Sequence, residues 1–318
     1  MRRELRAGLW LLASLALAGC GEPYSNEDLL FLAAVPERAE LETRVPEGAE
    51  AGGAGLRAVE ALAVGDDSTW HRNTREQGDA FNRSVGQMLG QLDALRRLPV
   101  STRTEAQRVW GPFRLPEQPA FEARLRIDRA GEGAFLWALE FRRVAEAASA
   151  PWQSVLRGET STAGSFQRAR GTVELPVREV EAAGLTVGED VRPLERLRVA
   201  YDLTGEPRQV GLELLARSGE RLTYASQRAA DDRSGTLVFR YQTQLVPQLP
   251  GEPADVQDTM QVVTRWREGG AGRADISILE GNGRGASALE CWGADLRVVY
   301  QATSWDGART GDLAKCVP

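Results

Sequence analysis

The sequence predicts an α+β fold that is mainly antiparallel β. The expected form is a curved meander sheet or half-open barrel of about nine to eleven strands, with a long N-terminal helix and a short inserted helix. Three observations predict it. From about residue 105 apolar side chains recur at every second position, with charges between them. Turn-forming sequences separate those runs. Before them, the stretch from Asp67 to Arg97 carries apolar residues at steps of three and four. A period of two marks a sheet with one buried face, and a period near 3.6 marks a helix with one buried stripe.

Residues 1–19 read as a leader. Arg2, Arg3 and Arg6 stand against Glu4, and an apolar stretch runs from Ala7 to Leu17. A helix needs about 20 apolar residues to cross a hydrocarbon layer of roughly 30 Å, so this stretch is too short. The basic-then-apolar layout is that of a secretory signal peptide. It ends on Leu17-Ala18-Gly19-Cys20, which resembles the lipobox of bacterial lipoprotein precursors. The resemblance implies cleavage after Gly19, a diacylglyceryl group on the Cys20 thiol, and acylation of the new amino terminus. Gly21 stands where an Asp signals retention at the inner membrane, so the resemblance points to the outer membrane. Each buried CH₂ contributes about 0.8 kcal/mol, and more than one acyl chain makes attachment stable. No later stretch is long and apolar enough to span a bilayer. The expected state is a chain in the cell envelope, fastened to a membrane without crossing it.

Charge and cysteine usage narrow the partners. Removing residues 1–19 takes the net charge from −6 to −8. An acidic domain argues against nucleic acid, which needs clustered Lys and Arg, and against anionic headgroups. Lys315 is the only lysine, so arginine carries nearly all the positive charge. With Cys20 acylated, Cys291 and Cys316 remain, and an oxidising compartment favours their disulfide.

Residues 20–66 read as an acylated tether with short helices. Ser25-Asn26-Glu27-Asp28 is a helix start, with a capping side chain followed by acids at the positive dipole end. It leads into Leu29-Leu30-Phe31-Leu32 and stops before Pro36. Flanking acids and the lack of a basic face point to packing on the domain rather than on the membrane. "PEGAEAGGAG" (46–55) has linker composition. Residues 67–318 read as the helix plus antiparallel β domain. In its long helix, Phe81, Val85, Met88, Leu89, Leu92, Leu95 and Leu98 form one stripe that needs a cover, and Pro99 ends it. Gly78, Gly86 and Gly90 lower its propensity, and close approach to a sheet would explain them.

The strands follow. Phe121, Ala123, Leu125 and Ile127 point one way, and Trp137, Leu139 and Phe141 continue the pattern. Leu197 to Leu203, Val210 to Leu214, Leu237 to Leu245, Met260 to Trp266, Ile276 with Ile278, and Leu296 to Tyr300 repeat it. "RAGEG", "LTGEP", "RSGE", "DDRSG", "REGGAG" and "GNGRG" supply the turns. "LPVREVEAAGL" (175–185) reads as a short helix interrupting the meander, with Gly184 near its end. A curled sheet with helices against its concave side is similar in layout to the LolA and LolB families of lipoprotein carriers. That resemblance covers residues 67–318 in organisation and implies a hydrophobic ligand, but it carries no site residue across.

No catalytic, metal-binding or cofactor-binding set is expected. His71 is the only histidine and reads as a surface or capping residue in "TWHRN". Asp66-Asp67 and Asp231-Asp232 read as a helix start and a hairpin turn. "GNGRG" (281–285) lies between strands, so no helix N-terminus awaits a phosphate. "GETSTAG" reads as a polar loop. Trp137, Tyr201, Tyr241 and Trp266 read as core. The expected function is a membrane-anchored envelope lipoprotein without catalytic activity, serving as a binding or structural module, with a hydrophobic ligand or an envelope protein as partner. The competing readings are a carboxylate-based hydrolase on the sheet and a subunit of an outer-membrane complex.

Overall fold

A computed structural model describes residues 25–47, 63–115, 118–145, 151–162, 168–189, 191–231, 233–243 and 257–316. The leader, Cys20 and Asp232 lie outside the described residues. Among the described residues, four helices precede or interrupt the sheet: α1 (Asn26–Leu32), α2 (Arg38–Leu41), α3 (Thr69–Leu95) and α4 (Val177–Ala182). The strands are β1 (Val100–Arg103), β2 (Gln107–Leu115), β3 (Gln118–Gly131), β4 (Ala134–Arg143), β5 (Gln153–Thr162), β6 (Ala169–Leu175), β7 (Leu194–Asp202) and β8 (Arg208–Ala216). They continue as β9 (Arg221–Arg228), β10 (Gly235–Thr243), β11 (Asp258–Trp266), β12 (Gly272–Glu280), β13 (Ser287–Trp292), β14 (Val298–Thr303) and β15 (Arg309–Gly311). A 3₁₀ turn, Leu313–Lys315, closes the described chain. Among the described helices, none is long and apolar enough to cross a membrane.

The α+β, mainly antiparallel class holds, and the strand number is corrected. One open sheet carries fifteen strands in chain order, each paired antiparallel with its sequence neighbour. The extra strands are those whose alternation is weak in sequence. In β2 an inward arginine, Arg108, breaks the pattern, and its pairing with β3 shifts register between Trp110 and Phe113. β5 begins its final turn of sequence as "GETST", polar throughout, yet it is ladder rather than loop. The two edges are β1 and β15, of 4 and 3 residues, and such short edges offer little template for pairing with another chain.

One face of the sheet is dry. A single apolar cluster joins Val100 of β1 to Trp292 of β13, with Phe31, Leu41 and the stripe of α3. Three of the strand indoles on this face have a glycine directly across: Gly158 opposite Trp137, Gly235 opposite Trp266, and Gly272 opposite Trp292. A Cβ at Gly235 would lie 2.6 Å from the Trp266 ring, so only glycine leaves the ring its place. The other face carries rows of charge. Arg157, Glu174, Arg198 and Glu213 stand opposite one another across β5 to β8.

The described part of the segment 20–66 is packed into the same core. Phe31 and Leu41 are fully buried. Gly78 of α3 faces Val45, and Gly86 faces the Arg38 guanidinium. The small residues of α3 therefore make room for the N-terminal segment, not for the sheet, and Gly90 faces open space. Cys291 and Cys316 sit at disulfide distance, their Cα atoms 5.2 Å apart. This pair holds the final 3₁₀ turn beside β13 and β14.

Candidate functional site

The dry face carries more polar groups than the sequence pattern announces, and each ties a helix to the sheet. Ser25 and Asp28 form a capping box at the start of α1. The Asp28 carboxylate, fully buried, also accepts from Arg108 Nε at 2.8 Å and Arg103 Nε at 3.1 Å. Burial works against this charge, but the donors from Ser25, Arg108 and Arg103 outweigh it and hold the carboxyl down at about 2. Arg108 lies 4.6 Å over the Phe31 ring and pairs with Glu27 at 2.9 Å. Thr160, in the stretch expected to be a loop, is buried. Its hydroxyl donates to the Ala34 carbonyl at 2.5 Å and lies 2.8 Å from the Tyr201 hydroxyl. Arg228 donates to the carbonyls of Glu42 and Glu40 at 3.0 and 3.2 Å.

His71 is a correction. It is buried, not on the surface: its Nε2 lies 3.0 Å from the Pro46 carbonyl and its ring meets Trp292 edge-on at 5.6 Å. Burial lowers the imidazole below its ordinary range, against the pull of Pro46. Ser68 and Glu290 stand close by, but their geometry is not that of an activated nucleophile. Ser68 donates its hydroxyl proton to Glu290 Oε1 at 2.5 Å, and His71 reaches Ser68 through its backbone N–H at 2.9 Å. A relay would need the imidazole ring to face the hydroxyl. Glu290 also accepts from the Trp70 N–H at 3.0 Å, so it caps the positive end of α3. Burial raises its carboxyl above the usual range, against the Ser68 and Trp70 donors.

The remaining sequence candidates have structural partners. Asp66 accepts from the Ala63 N–H at 2.9 Å just before α3, and Asp231 accepts from the Arg233 N–H at 3.0 Å in its turn. Gly283, within "GNGRG", donates to Asp258 at 2.9 Å. Trp137, Tyr201 and Trp266 are buried in the core, and Tyr241 packs against it. No group of three or more His, Cys, Asp or Glu is arranged to hold a metal among the described residues.

A cavity of about 260 Å³ opens where the dry face passes under α4. Its floor is Leu139 and Phe141 of β4 with Val155 and Leu156 of β5. A β-bulge builds that floor. Leu139 pairs with Leu156 and Glu140 with Ser154, which leaves Val155 as the extra residue. Both consecutive apolar side chains then turn to the cavity instead of alternating. Met88 and Gln87 of α3 form one wall and Leu175 of β6 another. The roof comes from α4 and the turn after it. Leu185 N–H donates to the Val180 carbonyl and Gly184 N–H to that of Glu181, with Gly184 at φ +80°. This is a Schellman stop, which folds the residue after the glycine back onto the last helical turn. It sets Val180 and Leu185 together as roof. From outside, Arg157 pairs with Glu179 at 3.6 Å, and Arg217 pairs with Glu181.

The roof was legible in "LPVREVEAAGL". The floor was missed because a bulge cancels the alternation that signals a strand; the adjacent pair Val155-Leu156 between polar residues was the available sign. No protein-family model, no curated protein and no solved structure matches this chain.

Proposed function

We propose that the chain is a membrane-anchored envelope lipoprotein without catalytic activity, whose folded part binds a hydrophobic molecule. The observation that carries the binding reading is the apolar cavity between α3, α4 and β4 to β6. The lipobox-like Leu17-Ala18-Gly19-Cys20 supports the anchor. Curvature of the sheet belongs to the same reading. Twelve inter-strand steps separate β1 from β13, roughly 58 Å if flat, yet their inward side chains join one cluster around α3. A helix about 10 Å across covers such a width only if the sheet bends round it.

Mass spectrometry of the chain purified from its own envelope tests both halves. An acylated Cys20 at the amino terminus and an apolar molecule released by solvent extraction are expected. Cys20→Ser should move the protein from the membrane to the soluble fraction. A free, unmodified amino terminus elsewhere rejects the anchor, and repeated extraction without any bound molecule, together with no uptake of apolar probes, rejects the binding module.

A further inference from the structure

We infer that the chain stands on the bilayer by one rim of its sheet, the rim where α1 begins, and holds the other rim, with α4, out in the aqueous phase; this rests on the reading of Cys20 as the lipid anchor. The partner of the first rim is the headgroup region of the membrane to which the chain is fastened.

Topology defines the rims. Every strand is antiparallel to its neighbours in chain order, so the turns after odd-numbered strands share one rim and the turns after even-numbered strands share the other. The start of α1 is tied to the first rim. Asp28 accepts from Arg103, the last residue of β1, and from Arg108 at the start of β2. Glu27 pairs with Arg129, near the end of β3, at 3.2 Å. Ser25 is the fifth residue after Cys20. A chain of that length spans at most roughly 18 Å, so the anchor keeps this rim beside the membrane surface. α4 follows β6 and therefore lies on the second rim. The ten residues of β4 run from one rim to the other, a separation of about 30 Å at the usual rise per residue.

Exposed apolar side chains are a second, independent observation. Among the described residues, five large ones are exposed: Leu29, Val64, Leu136, Trp305 and Leu313. Four of them lie on or beside the first rim. Leu29 is in the first turn of α1. Val64 lies against Gly311, and the next residue, Gly65, donates to the Val298 carbonyl at the start of β14. Leu313 follows Asp312, whose N–H donates to the Val299 carbonyl. Leu136 is the third residue of β4, on the charged face. Of the five, only Trp305 stands in a turn of the second rim. Apolar side chains gathered at one rim are unfavourable in water and favourable at the boundary of headgroups and acyl chains. Charge is mixed along the same rim, where Arg103 and Arg129 stand with Glu27 and Glu132. Such a rim has no pull toward anionic lipid, and it fits zwitterionic headgroups.

Spin labelling of the acylated mature chain, reconstituted in phosphatidylcholine vesicles that carry a nickel-chelating lipid, provides the test. With Cys20 acylated and Cys291 paired with Cys316, a cysteine introduced at Glu132 or at Ser218 is the only free thiol. Both positions are exposed turn residues, Glu132 on the first rim and Ser218 on the second. Relaxation enhancement by the membrane-held nickel should be severalfold greater for the Glu132→Cys label than for the Ser218→Cys label. Leu29→Ser with Leu313→Ser changes only exposed side chains and should bring the two labels toward equality at an unchanged melting temperature. Equal enhancement in the parent chain, or greater enhancement for Ser218→Cys, overturns the orientation; the chain would still sediment with the vesicles, so the anchor would stand. A difference that both serines leave intact overturns the apolar contact. A chain with no acyl group on Cys20 that stays free of the vesicles removes the anchor reading, and the inference with it.

Discussion

Asp28 is the residue on which the N-terminal helix depends. It is a fully buried acid whose two oxygens serve Ser25, Arg103 and Arg108. Replacing it with asparagine leaves the buried Arg108 short of its main counter-charge. Asp28→Asn should cost about 3 kcal/mol in urea unfolding. The pH dependence has a definite sign. The folded carboxyl titrates at about 2, below its ordinary 3.8, so its contribution is complete above pH 4 and is lost as pH falls toward 2. The variant should lack that part of the acid sensitivity.

Glu290 behaves oppositely. Its folded value is raised by burial, so the folded state holds the proton more tightly than the unfolded one. Its contribution is therefore present below the unfolded value near 4.5 and diminishes as pH rises. Glu290→Gln keeps an acceptor for Ser68 and Trp70 and removes the charge. The melting temperature of the variant should gain on that of the parent as pH rises from 4.5 to neutrality. A variant that instead loses ground to the parent over this range would show that Glu290 is stabilised as the anion.

At the scale of elements, packing in the sheet is organised by indole and glycine pairs. Gly235→Ala sets a Cβ 2.6 Å from the Trp266 ring and 2.8 Å from the Gln227 carbonyl oxygen. Neither neighbour is a loose side-chain tip, so a loss of about 1–3 kcal/mol is expected, with a changed tryptophan emission. The end of the sheet is held differently. The final 3₁₀ turn has no buried residue of its own, and Cys316 joins Cys291 across 25 positions. Cys316→Ser should cost about 3.5 kcal/mol by the chain-entropy relation. Limited proteolysis should then cut the tail after Thr303 before any other strand.

For the whole molecule, the division between tether and domain falls earlier than composition indicates. α1, α2 and the extended residues up to 47 cover the dry face beside α3. Thr43 exchanges two hydrogen bonds with Asn82, at 2.8 and 2.9 Å, and Ser226 donates to its hydroxyl at 2.9 Å. A chain beginning at residue 67 should therefore expose apolar sheet. It should bind a hydrophobic dye and lose cooperative unfolding, whereas a chain beginning at residue 21 should unfold in one transition. Equal cooperativity for the two would make the N-terminal segment dispensable.

Much of this architecture was readable before any coordinates. Period-two alternation identified the long regular strands, turn chemistry placed their hairpins, and the stripe from Phe81 to Leu95 identified α3. Local rules failed where one residue broke a period: Arg108 inward on β2, the bulge at Val155, and Thr160 in a polar stretch that proved to be ladder. At each place a distant partner satisfies the exception. Asp28 receives Arg108, Ala34 receives Thr160, and α4 covers Val155. His71 shows the same limit, since its burial depends on Pro46 and Trp292, far apart in sequence.

The sequence by itself determined the α+β class, the meander order, the helix stripe and the resemblance to a lipoprotein leader, because these rest on neighbours within a few residues of one another. Only the tertiary structure decided the fifteen-strand width, the inclusion of the N-terminal helices in the core, and the 260 Å³ cavity under α4. Those depend on which side chains meet across the sheet. Pairing register, bulges and buried polar partners set that, and no local pattern encodes them.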